Sequence, residues 1–417
     1  MPSATAPMPL PSWSRPVLNA DRLSAPATTI CEAEPLALYI HWPFCVSKCP
    51  YCDFNSHVRE SIDMDRWKEA LLADLAHEAA LLPGRLLGSI FFGGGTPSLM
   101  PPALVETLID AATSHWSASG DIEITLEANP SSVEAARFAN LSQAGVNRVS
   151  LGLQALEDAT LGFLGRAHGV DEGLRALDTA QAHFSRVSFD LIYARPGQTL
   201  EQWEAELRRA LSFGTGHLSL YQLTIEPGTR FETLVRRGEL IPADDDHCAD
   251  LFELTRSLTA EAGLPAYEIS NHARVGEQSR HNLTYWRYGD YAGIGPGAHG
   301  RRTALATERH RKPENFLSAV SRNGHGLSIE RSLDPATRAM EALLMGLRLA
   351  EGVDLAAIAD RMGLNETALI DADALARLAD LGLVASDDAH LAVTERGMSL
   401  LDAILAELVA IEPIPAL

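Results

Sequence analysis

The sequence has few cysteines, fewer basic than acidic residues, and no long apolar run. No stretch approaches the ~18 consecutive apolar residues of a membrane-spanning helix, so we expect at most peripheral contact with a membrane. Lys and Arg number 34 against 55 Asp and Glu, a net charge of −21, which argues against nucleic acid as a partner. The cysteines number five, and an odd count argues against a disulfide framework and for a reducing, cytoplasmic compartment.

What is present is the composition of a globular protein, with 46% hydrophobic and 21% charged residues. A chain of 417 residues has room for one large domain and a smaller one. Residues 1–35 are rich in Pro, Ala and Ser and are predicted to form a flexible N-terminal extension. A transit peptide is the alternative, although Asp21, Glu32 and Glu34 dilute the basic character that such a peptide needs.

From Leu36 onward, short β-rich runs alternate with longer helical stretches, as in parallel strands joined by crossover helices. The predicted strands are Leu36–His41, Ser89–Gly93, Ile122–Glu127, Arg148–Gln154, Ser188–Tyr193 and His217–Leu223. The predicted helices include Met64–Leu82, Pro102–His115, Val133–Ala144 and Leu200–Phe213. Six such units predict an α/β fold, a partial (β/α)6 TIM-like barrel rather than a closed barrel of eight strands.

Three segments follow the extension in the predicted domain organisation. The partial barrel spans residues 36–228, a partly irregular connecting region spans 229–330, and a smaller, mainly helical domain spans 331–417. The predicted elements of this last domain, which is winged-helix-like, are the helices Ala336–Ala350 and Leu355–Met362 and a hairpin at Leu383–Thr394.

Three of the cysteines, Cys45, Cys49 and Cys52, fall on the loop that follows the first predicted strand. Barrel enzymes place their chemistry at this end of the strands. Three thiolates ligate three irons of a 4Fe-4S cubane and leave the fourth iron open. An open iron can be chelated by the amino and carboxylate groups of S-adenosylmethionine, and the reduced cluster can then cleave a carbon–sulfur bond to form a 5′-deoxyadenosyl radical.

A structural zinc site is the alternative for the same three thiols. Structural zinc takes four ligands, and His41 or His57 could supply the fourth, although neither has the paired spacing of a zinc finger. The remaining cysteines, Cys31 and Cys248, are isolated in the sequence and are predicted to be ordinary free thiols.

The CxxxCxxC spacing, with Tyr39 to Cys45 before it and Cys52 to Asn55 at its end, resembles the radical S-adenosylmethionine superfamily. Within that superfamily it is similar to the coproporphyrinogen-dehydrogenase-like branch, over about residues 36 to 410. The resemblance implies a barrel of the radical SAM type, a 4Fe-4S cluster on the three cysteines, and S-adenosylmethionine as a cofactor.

Further polar residues and glycines follow successive predicted strands. Gly93 to Thr96 ends the second strand, and Glu127, Gln154 and Asp190 lie at or near the ends of the next three. The residues that the resemblance implies for S-adenosylmethionine are Tyr39, Tyr51, Gly94, Gly95, Thr96, Glu127, Gln154, Arg166 and Asp190. Taken singly, Glu127 and Asp190 could instead cap helices, and Arg166 could form a surface ion pair.

A later segment, His281 to Trp286, is followed by a run rich in glycine and aromatic residues. This composition suggests a flat apolar ligand beside an iron ligand. The resemblance associates this HNxxYW pattern with haem through His281, Asn282, Tyr285 and Trp286. The alternative is that His281 is a hydrogen-bonded structural histidine and that the aromatic residues belong to the core.

Two functions follow from the resemblance. The first is a haem chaperone that binds haem and delivers it to acceptor proteins, namely respiratory haemoproteins. The second is oxygen-independent coproporphyrinogen III dehydrogenation, which decarboxylates the substrate to protoporphyrinogen IX; it is weakened because Phe54 stands where those enzymes carry a further cysteine. A methyl-transferring or ring-opening activity on porphyrins is a third alternative, and a homodimer is left open.

Overall fold

The computed structural model describes residues 35–59, 61–387 and 390–409. Residues 1–34, including Cys31, lie outside this range, so the predictions made for the extension stay predictions. The strands in the described residues are β1 (Leu36–Trp42), β2 (Phe44–Cys45), β3 (His57–Val58), β4 (Leu86–Gly94), β5 (Ser117–Ala128), β6 (Arg148–Gln154), β7 (Arg186–Tyr193), β8 (His217–Gln222), β9 (Asn271–Ala273), β10 (Tyr291–Ile294), β11 (His299–Arg302), β12 (Leu305–Arg309), β13 (Leu327–Ser332), β14 (Val353–Asp354), β15 (Val384–Asp387) and β16 (His390–Val393).

The α-helices alternate with these strands in the first half of the chain and dominate its last quarter. In the described residues they are α1 (Met64–Leu81), α2 (Pro102–His115), α3 (Ser132–Ala135), α4 (Phe138–Gln143), α5 (Asp158–Phe163), α6 (Val170–His183), α7 (Leu200–Leu211), α8 (Arg230–Arg236), α9 (Asp245–Glu261), α10 (Arg280–Trp286), α11 (Pro313–Asn323), α12 (Pro335–Gly346), α13 (Leu355–Met362), α14 (Ala372–Asp380), α15 (Glu395–Met398) and α16 (Leu401–Leu408). None of these helices combines the length and the apolar character needed to cross a membrane.

The main sheet contains the six predicted strands side by side in chain order. Its full order in the described residues is β13-β12-β11-β10-β1-β4-β5-β6-β7-β8-β9, and every pair from β10 through β8 is parallel. The fold is therefore the predicted α/β fold, with a large parallel sheet whose carboxyl ends point to one side.

The sequence folds this way because the strands are buried on both faces and the helices are apolar on one. In β1, Leu38 and Ile40 on one face and Ala37 on the other are fully buried, as expected for a parallel strand that is covered on both sides. In α1, Trp67 and Leu71 face the core. Several helices also begin at a side-chain cap that satisfies free backbone N–H groups, so each crossover starts at a defined residue.

Residues 229–330 are more regular than the partly irregular connection that we predicted. They supply β9 at one edge of the main sheet, and β10 through β12 with β13 at the other. β10 pairs in parallel with β1, and β11 to β13 continue the sheet in antiparallel order. These strands are short, and the buried charges Arg301, Arg302 and Arg309 interrupt the apolar pattern that would have predicted them.

The predicted helix Val133–Ala144 is wrong in one respect, because the structure divides it into α3 and α4. The buried carboxylate of Glu134 in α3 accepts hydrogen bonds from Ser98 and from the backbone N–H of Asn129. In α4, Phe138 and Leu141 are fully buried in the main core. A bend between the two helices lets the first hold that carboxylate while the second packs its apolar side chains.

The last part of the chain has its own apolar core, built around residues of α12 to α16 such as Leu343, Leu378 and Ile404. The predicted hairpin is present as β15 and β16, with Val384 opposite Val393. β14 was not predicted and adds a third strand, giving the order β14-β16-β15. Helices packed on a small three-stranded sheet agree with a winged-helix-like domain.

Candidate functional site

The three clustered cysteines lie where the sequence placed them, at the carboxyl end of β1. Each thiol is half-buried. The hydroxyl of Thr96 donates to Cys45 Sγ at 3.4 Å, and a terminal nitrogen of Arg166 donates to Cys49 Sγ at 3.6 Å. Cys52 Sγ lies 4.0 Å from the hydroxyl of Ser56. Each sulfur therefore has a polar neighbour from the protein.

The glycine turn after β4 lies directly against this loop. Gly94 has a backbone φ of +116°, a conformation open mainly to glycine, and a Cβ there would meet the His41 ring at 2.6 Å. A Cβ on Gly95 would meet the carbonyl oxygen of Phe44 at 2.6 Å. The backbone N–H of Gly94 donates to the carboxylate of Glu127 at 3.2 Å, so the turn is held to the next strand of the sheet.

Two acidic side chains on β5 and β7 face the same space. Burial, together with the nearby charge of Asp190, raises the pKa of Glu127 to about 8. Burial also raises the pKa of Asp190 to about 6, against hydrogen bonds from Ser219 and Ser150 that lower it. Because two carboxyl groups that share a buried site resist ionising together, this pair favours a ligand that donates hydrogen bonds, as a ribose or an amino group does.

Arg166, Tyr51 and Gln154 complete the group. Arg166 donates to the carbonyl oxygen of Gly152 at 2.9 Å. Burial raises the pKa of the Tyr51 phenol, and the nearby charge of Arg166 opposes that shift. Gln154 ends β6 with a φ of +69°, a conformation that non-glycine residues seldom adopt. Arg166 therefore lies within the site, and the alternative of a surface ion pair is wrong.

These residues fit a cluster with S-adenosylmethionine beside it. Burial raises the pKa of the Cys45 and Cys52 thiols, so iron would have to displace their protons, as metal binding to thiols ordinarily does. Within the described residues, the Nε atom of Arg166 is buried without a hydrogen-bond partner. Since buried donors are normally satisfied, the site keeps a donor for a ligand.

His41, which the zinc alternative used as a ligand, is already engaged. Its Nδ1 is 2.9 Å from the Tyr39 hydroxyl and its Nε2 is 3.0 Å from the carbonyl oxygen of Asn55. Burial lowers the pKa of His41 to about 4, so the ring is neutral and fixes Tyr39. His57 lies 3.3 Å from the side-chain oxygen of Asn55. Both histidines thus hold the cysteine loop in place through Asn55.

Sequence reasoning missed Asn129, two residues after Glu127. Its side chain hydrogen-bonds both Arg166 and Thr96. The signal was present in the Leu126-Glu-Ala-Asn-Pro130 segment at the end of β5, but only the glutamate was assigned a role there.

The HNxxYW segment forms α10, and it lies toward the amino ends of the parallel strands, whereas the cysteines lie at the carboxyl ends. His281 is within hydrogen-bond distance of Ser89, near the beginning of β4, and its backbone N–H donates to Glu123 at 3.1 Å. Strand beginnings are the amino end of a parallel barrel, where residues mostly serve stability. The structure thus places the four residues predicted for haem away from the cysteine loop, but Tyr39, predicted for S-adenosylmethionine, lies against His281 with ring centroids 6.2 Å apart.

Both ring nitrogens of His281 are engaged. Nδ1 is 3.0 Å from the Ser89 hydroxyl, and Nε2 is 2.6 Å from the Tyr285 hydroxyl. The ring is 1% exposed and stacks on Phe91 with centroids 4.8 Å apart. Burial lowers its pKa to about 3. These contacts are the ones that the alternative interpretation, a hydrogen-bonded structural histidine, leads us to expect, and iron could reach Nε2 only if Tyr285 moved away.

Asn282 and Trp286 are half-buried on the same helix. Trp286 lines a cavity of about 220 Å³ together with residues of α12 and α13, including Gly346, Ile358 and Arg361. This volume is below the ~300–1,000 Å³ of pockets that enclose a drug-sized ligand. A haem could therefore place only an edge there unless the helices separated.

The raised pKa of Glu127 predicts a pH-dependent stability. A buried carboxyl group whose pKa is raised on folding stabilises the fold while it is protonated, and this stabilisation is lost as pH rises. In ligand-free protein we expect the thermal midpoint of the wild type to fall relative to that of Glu127→Gln between about pH 5 and 8. Glu106→Gln, at an exposed position in α2, is the control and should show no such trend. A constant difference across this range would contradict the assignment.

Comparisons with known proteins agree with this geometry. The radical SAM superfamily model matches residues 39–210, and the HemN C-terminal domain model matches residues 333–400. The heme chaperone HemW of Escherichia coli is 43% identical over 324 residues, 76% of this chain and 83% of that protein. Mouse radical S-adenosyl methionine domain-containing protein 1, mitochondrial, is 39% identical over 344 residues, 80% of this chain and 78% of that protein.

Among solved structures, coproporphyrinogen III oxidase (HemN) from Escherichia coli superposes with a TM-score of 0.76 at 22% identity, covering 90% of each chain. At that identity the match shows a shared fold. The higher identity to the HemW proteins extends over most of both chains. The chain belongs to the radical SAM superfamily, in the family that contains the HemW proteins.

Proposed function

We propose that this protein is a haem chaperone, which binds haem and passes it to haem-acceptor proteins such as respiratory haemoproteins. The observation that carries the proposal is the 43% identity to the heme chaperone HemW of Escherichia coli over 76% of the chain. A cytoplasmic location, with at most peripheral contact with a membrane, is part of the proposal.

In this proposal Cys45, Cys49 and Cys52 hold a 4Fe-4S cluster, as the superfamily implies. The reduced cluster supplies one electron that can cleave the sulfonium bond of S-adenosylmethionine. The protein's part is to bind and orient that cofactor. The Gly94–Gly95 backbone allows a close approach, the raised pKa of Glu127 leaves a protonated carboxyl group at neutral pH, and Tyr39, Gln154 and Asp190 complete the pocket.

The proposed haem site is the segment from His281 to Trp286 in α10. The half-buried side chains of Asn282 and Trp286 support it, because they offer a polar group and an aromatic face that a flat apolar ligand can contact. Iron ligation by His281 would also require the Tyr285 hydroxyl to leave Nε2, so it would be accompanied by a local rearrangement of α10.

Haem titration of the purified protein tests this site. If His281 ligates iron, His281→Ala should weaken haem binding about tenfold or more, because losing even an outer partner of a metal ligand typically costs 10–100-fold. The same substitution should also shift the Soret band of the bound haem. Tyr285→Phe should retain both properties, since it leaves the imidazole in place. His115→Ala, at an exposed position, is the control. Unchanged affinity and an unchanged spectrum in His281→Ala would remove His281 from the proposed site.

Coproporphyrinogen III dehydrogenation is the second candidate, and a shared fold with HemN is its support. Phe54, 61% exposed, occupies the position of the additional cysteine in those enzymes.

Two assays of the cluster-reconstituted protein separate the candidates. In one, the protein is given reductant, S-adenosylmethionine and coproporphyrinogen III. In the other, it is given haem and then an apo-haemoprotein. Haem transfer without protoporphyrinogen IX formation supports the chaperone; release of carbon dioxide with protoporphyrinogen IX would overturn it.

A further inference from the structure

Two hydrogen-bond donors to the cysteine sulfurs meet at a single side chain, that of Asn129. Thr96 donates to Cys45 Sγ at 3.4 Å and Arg166 donates to Cys49 Sγ at 3.6 Å. The amide oxygen of Asn129 accepts from Arg166 at 2.7 Å, and its amide nitrogen donates to the Thr96 hydroxyl at 3.2 Å. One amide thus joins the neighbours of two different sulfurs.

The chemistry of the partners fixes the direction of each bond. A guanidinium group only donates hydrogen bonds, so the oxygen of the Asn129 amide must face Arg166 and its nitrogen must face Thr96. The Thr96 hydroxyl then accepts from Asn129, which leaves its own proton directed at Cys45. A leucine of similar size could perform neither task.

The backbone of Asn129 is itself fixed by a hydrogen bond. Its backbone N–H donates to the carboxylate of Glu134 at 2.8 Å, and the same carboxylate accepts from Ser98 and Ser131. Glu134 is 4% exposed. The amide is therefore presented at a fixed position, which is what an orienting group requires.

We propose that Asn129 is a positioning residue that sets the reduction potential of the cluster by orienting Thr96 toward Cys45 and Arg166 toward Cys49. The inference rests on the cluster site of the proposed function. A reduced cluster carries one more negative charge than the oxidised one, so hydrogen bonds and a cation at its sulfurs stabilise the reduced form and raise the potential. Removing the amide should lower it.

The test is a potentiometric titration of the full-length, cluster-reconstituted protein, followed by electron paramagnetic resonance. Asn129→Leu should shift the potential to lower values, and Thr96→Val should shift it by part of that amount. The double variant should match Asn129→Leu, because both changes act through the same bond and their effects do not add. Asn140→Leu, at an exposed position in α4, is the matched control.

The inference would be overturned if Asn129→Leu had the same reduction potential as Asn140→Leu. It would also be overturned if the shifts of Asn129→Leu and Thr96→Val added fully in the double variant. Should the leucine variant assemble no cluster, Asn129→Ser is measured by the same criteria. Failure of the proposed cluster site would be seen in a different experiment. The protein would then keep its iron when Cys45, Cys49 and Cys52 are all changed to alanine. Haem transfer is measured separately and does not enter this test.

Discussion

Protein in which Cys45, Cys49 and Cys52 are all changed to alanine is expected to contain no iron or acid-labile sulfide above background after anaerobic preparation. The three thiols are the ligands of the proposed cluster, and their partners Thr96 and Arg166 can donate hydrogen bonds to sulfur but cannot replace it as a ligand. Iron and sulfide analysis, together with the visible absorbance of the cluster, measures the loss.

Cys248→Ala is the control for this experiment. Cys248 lies on α9 and is also half-buried, so the variant removes a thiol of similar exposure away from the site. It should retain the full iron content. A triple variant that kept its cluster, or a Cys248→Ala protein that lost it, would contradict the ligand assignment.

Arg309→Met is expected to destabilise the protein by about 3–5 kcal/mol, the usual cost of removing one partner of a buried ion pair. The Arg309 side chain is fully buried on β12, with its Nε 3.3 Å from Asp74 and a terminal nitrogen 2.5 Å from Glu78. Asp74 also accepts backbone N–H bonds from Gly295 and Gly326. The substitution would leave two buried carboxylates with one positive partner fewer.

Chemical denaturation of the ligand-free protein measures this effect as the free energy of unfolding. The exposed pair Arg59–Glu314 offers a matched control, because its side chains are 40% and 64% accessible to solvent. Arg59→Met should cost no more than about 1 kcal/mol. Equal losses in the two variants would show that the ion pairs of α1 with β12 do not hold the antiparallel strands in place.

Much of the barrel could be predicted from the sequence because its strands are local apolar runs. β6 and α2 begin and end where the pattern predicted, and the other predicted strands differ by a few residues at their ends. The antiparallel extension could not be predicted in this way. Arg309 becomes an interior residue only because Asp74 and Glu78, more than 230 positions earlier in the chain, neutralise it.

The site shows the same division between local and distant information. Cysteine spacing and strand ends predicted that the cysteine loop, Gly94 and Glu127 lie at the same end of the sheet, whereas Arg166 and Tyr51 were predicted only from the resemblance to a known family. The environment of His281 was not predictable, because Ser89 and Phe91, which engage its ring, belong to a strand almost 200 residues away in sequence. Asn129 was missed for a related reason: a role that consists of orienting other side chains leaves no local pattern.

The strand β4 reaches both candidate sites, with Ser89 beneath His281 and Gly94 at the cysteine loop. Five residues of extended chain separate these positions by about 17 Å. If haem binds at α10 as proposed, cargo and cofactor would occupy opposite ends of the same strand and would not compete for space. A single molecule could then be loaded with both, and Tyr39, whose ring centroid lies 6.2 Å from that of His281, would lie between them.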